Sequence, residues 1–415
     1  MSEKSPARVD PALLILGVAE SVSNVGNWIT MMAVYALIVF RGSGGIGQSS
    51  GIMLAGLLPT LLASPLAGWL CDRYDRRRLM IISELLSGLV VAALIFVERI
   101  ELIYASLALN AVTTSLMTPA RQSAVPEVVP PENLTRANAF LQQLSSLVKI
   151  GAPMLAGAVL SLLNPHQAIL LDVVSYALSA LILTRLPALP PEKAQKVESG
   201  PVAPRENLLS TLRTLPLLQL LFATSFFTIT LIVGLDVLFS VFTRDVLRSG
   251  ESMFGLLIAL IGVGTLVSTI ILMRRRTPGR PWRDVILGLA LLSIIPVTLA
   301  ESIWNGDPRT ASLVAALGCL IGGAGNGLVI VQSGTLLQTL APRPLLGRFS
   351  GIYQSVVMAG QLFGILITPL LVPALLDMGS FFALMTVLLA GLIVAAGLLV
   401  RKNEAASGSA AAVEG

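Results

Sequence analysis

Long apolar runs alternate with short polar breaks along the chain, and the runs have the length of membrane crossings. They fall at about 12–40, 49–71, 79–97, 102–120, 138–163 and 168–184, then at about 215–243, 253–273, 285–300, 310–332, 349–373 and 380–400. About 20 apolar residues carry an α-helix through the hydrocarbon core of a bilayer. Each run therefore predicts one crossing, twelve in all, although the ninth is short enough to need its flanks. The fold class that follows is an all-α membrane protein.

Between the sixth and seventh runs, residues 185–213 hold Pro187, Pro190, Pro191, Pro201 and Pro204 among Lys193, Lys196, Arg205 and Arg213. This composition predicts a solvated linker, with a short amphipathic surface helix near Asn207–Leu212 as the alternative. The expected organisation is a first six-helix bundle over 1–184, a cytoplasmic linker over 185–213, a second bundle over 214–400 and a disordered tail over 401–415. Arg136-Ala-Asn-Ala-Phe-Leu-Gln142 and Arg348-Phe-Ser-Gly-Ile-Tyr-Gln354 rhyme at the entries to the fifth and eleventh runs. Their equivalent positions point to an internal duplication, as in transporters built from parallel repeats.

Composition removes the soluble alternatives. The chain is 54% hydrophobic and 12% charged over 415 residues, where a soluble domain carries about a quarter charged residues. Twelve crossings use about 240 residues at that length per helix, which leaves no room for a large extramembrane domain. The first run is far longer than a signal-peptide core and lacks a small-residue cleavage pattern, so it is expected to stay as the first helix. Cys71 and Cys319 are the two cysteines, and neither a disulfide framework nor a metal site is expected.

The net charge of +5 reports topology. With a cytoplasmic N-terminus, 22 of the 28 Lys and Arg residues fall in inside segments and five (Arg41, Arg99, Arg244, Arg248 and Arg309) outside, with Lys149 within a run. Cytoplasmic loops collect Lys and Arg, so both termini are expected inside, in the inner membrane of a bacterium, and no nucleic-acid partner is implied.

The most specific motif lies between the second and third runs, Gly68-Trp-Leu-Cys-Asp72-Arg73-Tyr-Asp75-Arg76-Arg77-Arg78. Gly68 permits close helix approach, Asp72 complements a helix N-terminus, and the arginines hold the turn at the anionic lipid face. The spacing resembles the signature loop of the major facilitator superfamily, with Asp75 where that family usually has Gly. Gly151-Ala-Pro153-Met-Leu-Ala-Gly157 in the fifth run looks like the antiporter motif of its drug-exporting members; a generic small-residue packing face is the other reading. With Thr118-Pro-Ala-Arg121 and Leu346-Gly347-Arg348, nearly the full chain resembles the exporter branch that includes macrolide efflux pumps and the enterobactin exporter. The resemblance implies the major facilitator fold, two six-helix bundles about a cavity that opens alternately to each side. It also implies a cytoplasmic latch at Asp72 and Arg73. Arg274-Arg-Arg-Thr-Pro-Gly-Arg280, the second-half counterpart, has no acidic residue.

Ionisable residues at membrane depth are costly and mark function. Glu20, Asn24 and Asn27 share one face of the first helix, with Glu20 roughly 12 Å deep at 1.5 Å per residue; the face is expected to meet substrate or the coupling proton, or else to make interhelical hydrogen bonds. Lys149 is expected to need an acidic partner, with Asp172 and Glu20 the candidates. Asp236 is placed near the outer interface, as a gate. Glu84 and Arg121 are expected to pair with each other or with the latch residues Asp72, Arg73 and Arg77. Asn110, Thr113, Thr114, Asn326 and Gln332 are expected to line the cavity. His166, the single histidine, falls in a predicted outside loop, so any proton coupling falls to carboxylates, Glu20 first.

These features predict a secondary active transporter, proton-coupled and monomeric, that exports a bulky apolar or amphipathic compound such as a macrolide-like drug or a siderophore. An importer or lipid flippase of the same fold, or a non-transporting receptor, is the alternative. No cofactor is expected: a Gly-x-x-x-x-Gly-Lys-Ser/Thr phosphate loop is absent from the sequence, as is a convergent catalytic set, so the chain is expected not to be an enzyme.

Overall fold

A computed structural model describes residues 10–130, 133–190, 208–275 and 280–413. Most of the linker that the sequence predicts, 191–207, lies outside the described residues. Helices make up the structure, and no strand occurs among the described residues. In chain order they are α1 (Pro11–Tyr35), α2 (Ile46–Cys71), α3 (Arg76–Leu94), α4 (Ile100–Thr114), α5 (Met117–Val128), α6 (Leu134–Leu162), α7 (Pro165–Leu183) and α8 (Leu208–Arg213). There follow α9 (Pro216–Asp245), α10 (Glu251–Arg274), α11 (Pro281–Leu292), α12 (Ile294–Asn305), α13 (Pro308–Leu340), α14 (Leu346–Leu371) and α15 (Met378–Val413). The short α8 stands where the sequence allowed a surface helix, and α15 carries helix into the residues expected to form a disordered tail.

Among the described residues eleven helical segments are long and apolar enough to cross a membrane, which makes the chain a multi-pass membrane protein. The nineteen-residue α3 is not among them because Arg76, Arg77, Arg78 and Glu84 lower its apolar character. Two predicted runs prove to be broken helices. The fourth divides into α4 and α5, and the ninth into α11 and α12, which together cover Pro281–Asn305. The ninth crossing is therefore longer than its apolar stretch.

Local sequence fixes the helix starts. Asp10 caps α1 by accepting from the Ala12 N–H at 2.8 Å, which satisfies a donor that the first turn leaves free. Asn164 and Gln167 form a reciprocal capping box at α7; His166 thus lies in the first turn of that helix rather than in a loop. Gly306, with φ of 74°, ends α12 in the left-handed conformation.

The chain divides into two compact units. The first comprises 1–44, 51–198 and 251–256, and the second 45–50, 199–250 and 257–415. In the first, Leu16, Met80, Ala120 and Leu183 bring α1, α3, α5 and α7 into one core. In the second, Leu221, Leu289, Leu336, Phe349 and Leu389 do the same for α9, α11, α13, α14 and α15.

Glycines set the tightest contacts of the second unit. A Cβ at Gly264 of α10 would strike the Leu320 carbonyl of α13, and one at Gly327 would stand 2.6 Å from the Thr265 carbonyl. On another side of α13, a Cβ at Gly288 of α11 would stand 2.9 Å from the Gly325 carbonyl. Small residues let backbones approach this closely.

A buried acid cluster as the candidate functional site

The charged side chains of α1, α3, α5 and α7 converge inside the first unit. Glu20 on α1 and Arg121 on α5 form an ion pair, Oε2 to Nε 3.1 Å, with each side chain 19% exposed. Arg121 is bonded neither to Glu84 nor to the latch residues, the partners expected from the sequence. The break between α4 and α5 starts a new helix at Met117, and α5 packs on α1 as well as on α3, so the guanidinium meets Glu20.

Glu84 on α3 is 3% exposed. Ser23 of α1 and Ser179 of α7 flank its carboxyl, with Asp172 and Glu20 within electrostatic reach. Its Oε2 and the Ser179 Oγ are buried and make no hydrogen bond among the described residues. Asp172 on α7 is fully buried. Thr30 Oγ donates to its Oδ2 at 2.5 Å and Ser175 Oγ to its Oδ1 at 3.0 Å. The Tyr176 hydroxyl donates to Asn110 Oδ1 at 3.4 Å, and Asn110 Nδ2 donates to Asn27 Oδ1 at 3.4 Å.

One of these expectations needs correction. Lys149 is exposed and makes no ion pair among the described residues; Asp172 is held by hydroxyls instead. Asn24 is half-buried, while Asn27 of the same predicted face bonds α4. Thr113 and Thr114 donate to the Asn110 carbonyl at 2.9 and 2.8 Å, so these hydroxyls tie α4 to itself. Thr113 also meets Ser87 of α3 at 2.7 Å.

At the α2–α3 turn, Arg73 stacks over the Trp69 ring at 4.2 Å, and Asp72 is exposed. The stronger anchor is Asp75, which by sequence stands out only as a departure from the family pattern. It caps α3 through the Arg78 N–H at 2.8 Å and accepts from the Leu189 N–H at 2.8 Å. Arg76 pairs with Glu127 and donates to the Pro190 carbonyl, and Arg77 donates to the Thr184 carbonyl. The turn thus clasps the segment after α7. An aspartate directly before a helical run is an N-cap signal, and that is the sequence cue to this role. Among the described residues nothing stands within 4 Å of where a Cβ at Gly68 would be, so the expected close helix approach is not seen there; Gly151 is equally open. At Gly157 a Cβ would lie 3.1 Å from the Glu251 carbonyl, a contact inside the first unit. Within the same helix, Pro153 approaches α10, where a Cβ at Gly255 would lie 2.5 Å from its carbonyl.

The second unit carries its own ion pair. Arg275 Nη1 donates to both Asp284 oxygens at 2.9 and 2.7 Å, and Gln332 Nε2 donates to Asp284 Oδ2 at 2.8 Å. The arginine-rich loop therefore does have an acidic partner, which stands four residues past Arg280. Gln332 and Asn326, expected in the cavity, bond within this unit, Asn326 to Thr265 Oγ at 3.4 Å. Asp236 stands nine residues inside the end of α9, roughly 14 Å by helix rise, deeper than its expected place at the outer interface because α9 continues to Asp245. Cys319 of α13 lies within its electrostatic reach.

Chemically, the cluster brings together the three carboxyls of Glu20, Glu84 and Asp172, the Arg121 guanidinium and a set of hydroxyls and amides, an arrangement suited to holding or moving protons. No group of three or more His, Cys, Asp and Glu side chains is arranged for a metal among the described residues.

Comparison with known proteins agrees with this architecture. The chain is 26% identical to "Multidrug efflux pump Tap" of Mycolicibacterium fortuitum over 403 residues, covering 92% of this chain and 94% of that protein. It is 25% identical to "Macrolide efflux protein A" of Streptococcus pyogenes over 202 residues, 45% of this chain and 50% of that protein. The solved structure of the nucleoside transporter NupG superposes with a TM-score of 0.73 at 12% identity, covering 94% of this chain and 99% of that one. At that identity the likeness is one of fold alone. Residues 16–365 match the family model described as Major Facilitator Superfamily; this chain belongs to that superfamily of membrane transporters, and it is not an enzyme.

Proposed function

We propose that the protein exports a bulky apolar or amphipathic small molecule across the bacterial inner membrane in exchange for protons, as a monomer working by alternating access. In this reading α3 is the twelfth crossing, both termini are cytoplasmic, and the two units are six-helix bundles. The observation that carries it is the acid cluster of the first unit. Glu20, Glu84 and Asp172 lie inside a lipid-embedded bundle with Arg121 as the cation beside them. Buried charge of this kind is expensive and is retained where it serves function. The likeness to the two efflux proteins supports the outward direction and the substrate class. Asp72 and Arg73 at the α2–α3 turn, with Arg77, supply the cytoplasmic latch. Glu20, Asn24, Asn27, Lys149, Asp172 and Asp236 are the residues through which substrate and protons act.

The test is substrate accumulation in inverted membrane vesicles energised by an imposed pH gradient, using erythromycin, tetracycline, ethidium and a catecholate siderophore as probes. Uptake of one probe that collapses on adding a protonophore is the expected result. Uptake of every moved probe that ignores the gradient overturns proton coupling, and gradient-driven uptake in right-side-out vesicles overturns the outward direction.

A further inference from the structure

Asp75 stands where the resembled loop usually has Gly, and both of its carboxylate oxygens are in use. Oδ1 accepts from the Arg78 N–H at 2.8 Å and caps α3, while Oδ2 accepts from the Leu189 N–H at 2.8 Å. The Leu189 carbonyl in turn accepts from the Arg76 N–H at 3.0 Å. Leu189 is therefore held at both of its main-chain groups by two consecutive residues of the turn. The Pro190 carbonyl accepts from Arg76 Nη1 at 3.0 Å, and the Thr184 carbonyl accepts from Arg77. Leu186 and Leu189 sink into the core of the first unit, 2% and 4% exposed. Residues 184–190 thus form a strap docked on the α2–α3 turn.

A glycine at 75 has no acceptor to offer. A serine hydroxyl can cap the helix, but it is too short to serve a second stretch of chain as well. Asparagine has one acceptor oxygen, and its amide N–H groups would face a second N–H. Of these residues aspartate alone bridges cap and strap, and it does so with charge-assisted bonds. The bridge matters for what it flanks. Asp72, Arg73 and Tyr74 are exposed and lie between two fixed points: Cys71, buried in the core of the unit, and the pair Asp75–Arg76 on the strap. Releasing the second point leaves the three residues hinged on Cys71 alone, and a charged group displaced from its partner by more than hydrogen-bond range no longer holds it.

We propose that Asp75 is the positioning residue of the latch: by tying the strap to the first turn of α3, it holds Asp72 and Arg73 where they engage, and so governs the conformational step of transport. The inference rests on the latch reading above. Asp75 acts through the turn and touches no substrate. Because the chain leaves α7 for the linker along this strap, the latch turn and the exit to the linker are one mechanical piece.

The first measurement is hydrogen–deuterium exchange of the full-length protein in lipid nanodiscs, read at the Leu189 and Arg78 amides. Wild type is expected to protect both. Asp75→Ser, which keeps a cap, is expected to speed exchange about tenfold or more at Leu189 and less than about threefold at Arg78. An unprotected Leu189 amide in wild type overturns the proposal, as does an equal change at the two amides. Transport supplies the readout that a merely structural role does not move. In inverted vesicles under a pH gradient, with uptake expressed per folded molecule, Asp75→Ser is expected to lower the maximal rate about fivefold or more. The half-saturating probe concentration should stay within about twofold, since the residues that meet substrate are untouched. An unchanged maximal rate, or a parallel change in both quantities, overturns the positioning role. Should Asp75→Ser fail to fold, Asp75→Asn, which keeps the size and one acceptor, is measured in the same way; a smaller change in the same direction is expected, and wild-type behaviour overturns the proposal. Asp72→Asn separates the two readings. If it transports at the wild-type maximal rate, the latch reading falls and takes the positioning role with it, while exchange at Leu189 still decides whether Asp75 holds the strap.

Discussion

Removing Arg121 tests whether the acid cluster is held by charge. At 3.1 Å, the Glu20–Arg121 attraction is about 5 kcal/mol at an effective dielectric constant near 20. Desolvation of both groups offsets much of it, and breaking a fully buried pair from one side costs about 3–5 kcal/mol. Each side chain is 19% exposed, so partial hydration of the survivor brings the expected loss to about 2–3 kcal/mol. Arg121→Gln leaves Glu20 facing Glu84 and Asp172, and Glu20→Gln leaves a lone guanidinium; each single variant should be destabilised. The double variant should recover at least 1 kcal/mol relative to the sum, the mark of direct coupling. Reversible unfolding in mixed detergent micelles, titrated with a denaturing surfactant, measures all four corners of the cycle. Acidification should shrink the penalty of Arg121→Gln, because protons then replace the missing cation. Additivity within about 0.5 kcal/mol, at either pH, would refute the reasoning.

Two further outcomes are expected. Arg275→Ala takes both hydrogen bonds from the buried Asp284 and leaves it with Gln332; since Arg275 is itself 40% exposed, the same unfolding assay should register about 1–3 kcal/mol, and Asp284→Asn in that background should restore part of it. At the starts of α13 and α15, the Thr310 and Ser380 hydroxyls and the main-chain N–H groups hold the exposed Asp307 and Asp377 carboxyls below their ordinary value of 3.8. A lowered folded-state value means stability present above the ordinary value and lost as pH falls through the lowered one. Unfolding curves of Asp307→Ala/Asp377→Ala and wild type should therefore lie apart at neutral pH and draw together only as the pH falls below 3.8; a separation independent of pH would exclude the charge from the capping.

The crossings are legible in the sequence because their signal is long and repetitive: twenty apolar residues in a row cannot be hidden in a polar chain. Helix caps such as Asp10, Asn164 and Asp75 act within three residues of themselves, a local signal that the reading of 164–167 as an outside loop and of Asp75 as a departure from a motif passed over. The pairing of buried charges is not legible. Which acid meets Arg121 depends on the break at Ser115–Leu116, which starts α5 afresh and sets its rotation. The sequence places Arg121 and Glu84 at the same cytoplasmic side and so leaves Glu84 and the latch residues as the expected partners. Asp284 escapes a search of the arginine-rich loop because the acid lies in the first turn of the next helix. Asp236 reads as too shallow because α9 continues through the polar Thr243-Arg244-Asp245, where the apolar run stops.

The glycines of α13 bear on how the second unit can deform. A helix whose side chains mesh with its neighbours can slip by a notch when rotamers rearrange, the kind of small sliding seen in shear motions. Between α10 and α13 the closest meetings at Gly264 and Gly323 are backbone against backbone, with the Leu320 and Ile261 carbonyls facing bare Cα atoms. Axial travel of one helix past the other would drive peptide groups over peptide groups. The seam works as a splice, joining two helices into one stiff spar, with α11 fastened alongside through Gly288 and Gly325. Any bending that this unit undergoes is left to places where the helices are interrupted, of which the Ser293 break between α11 and α12 is the nearest to hand.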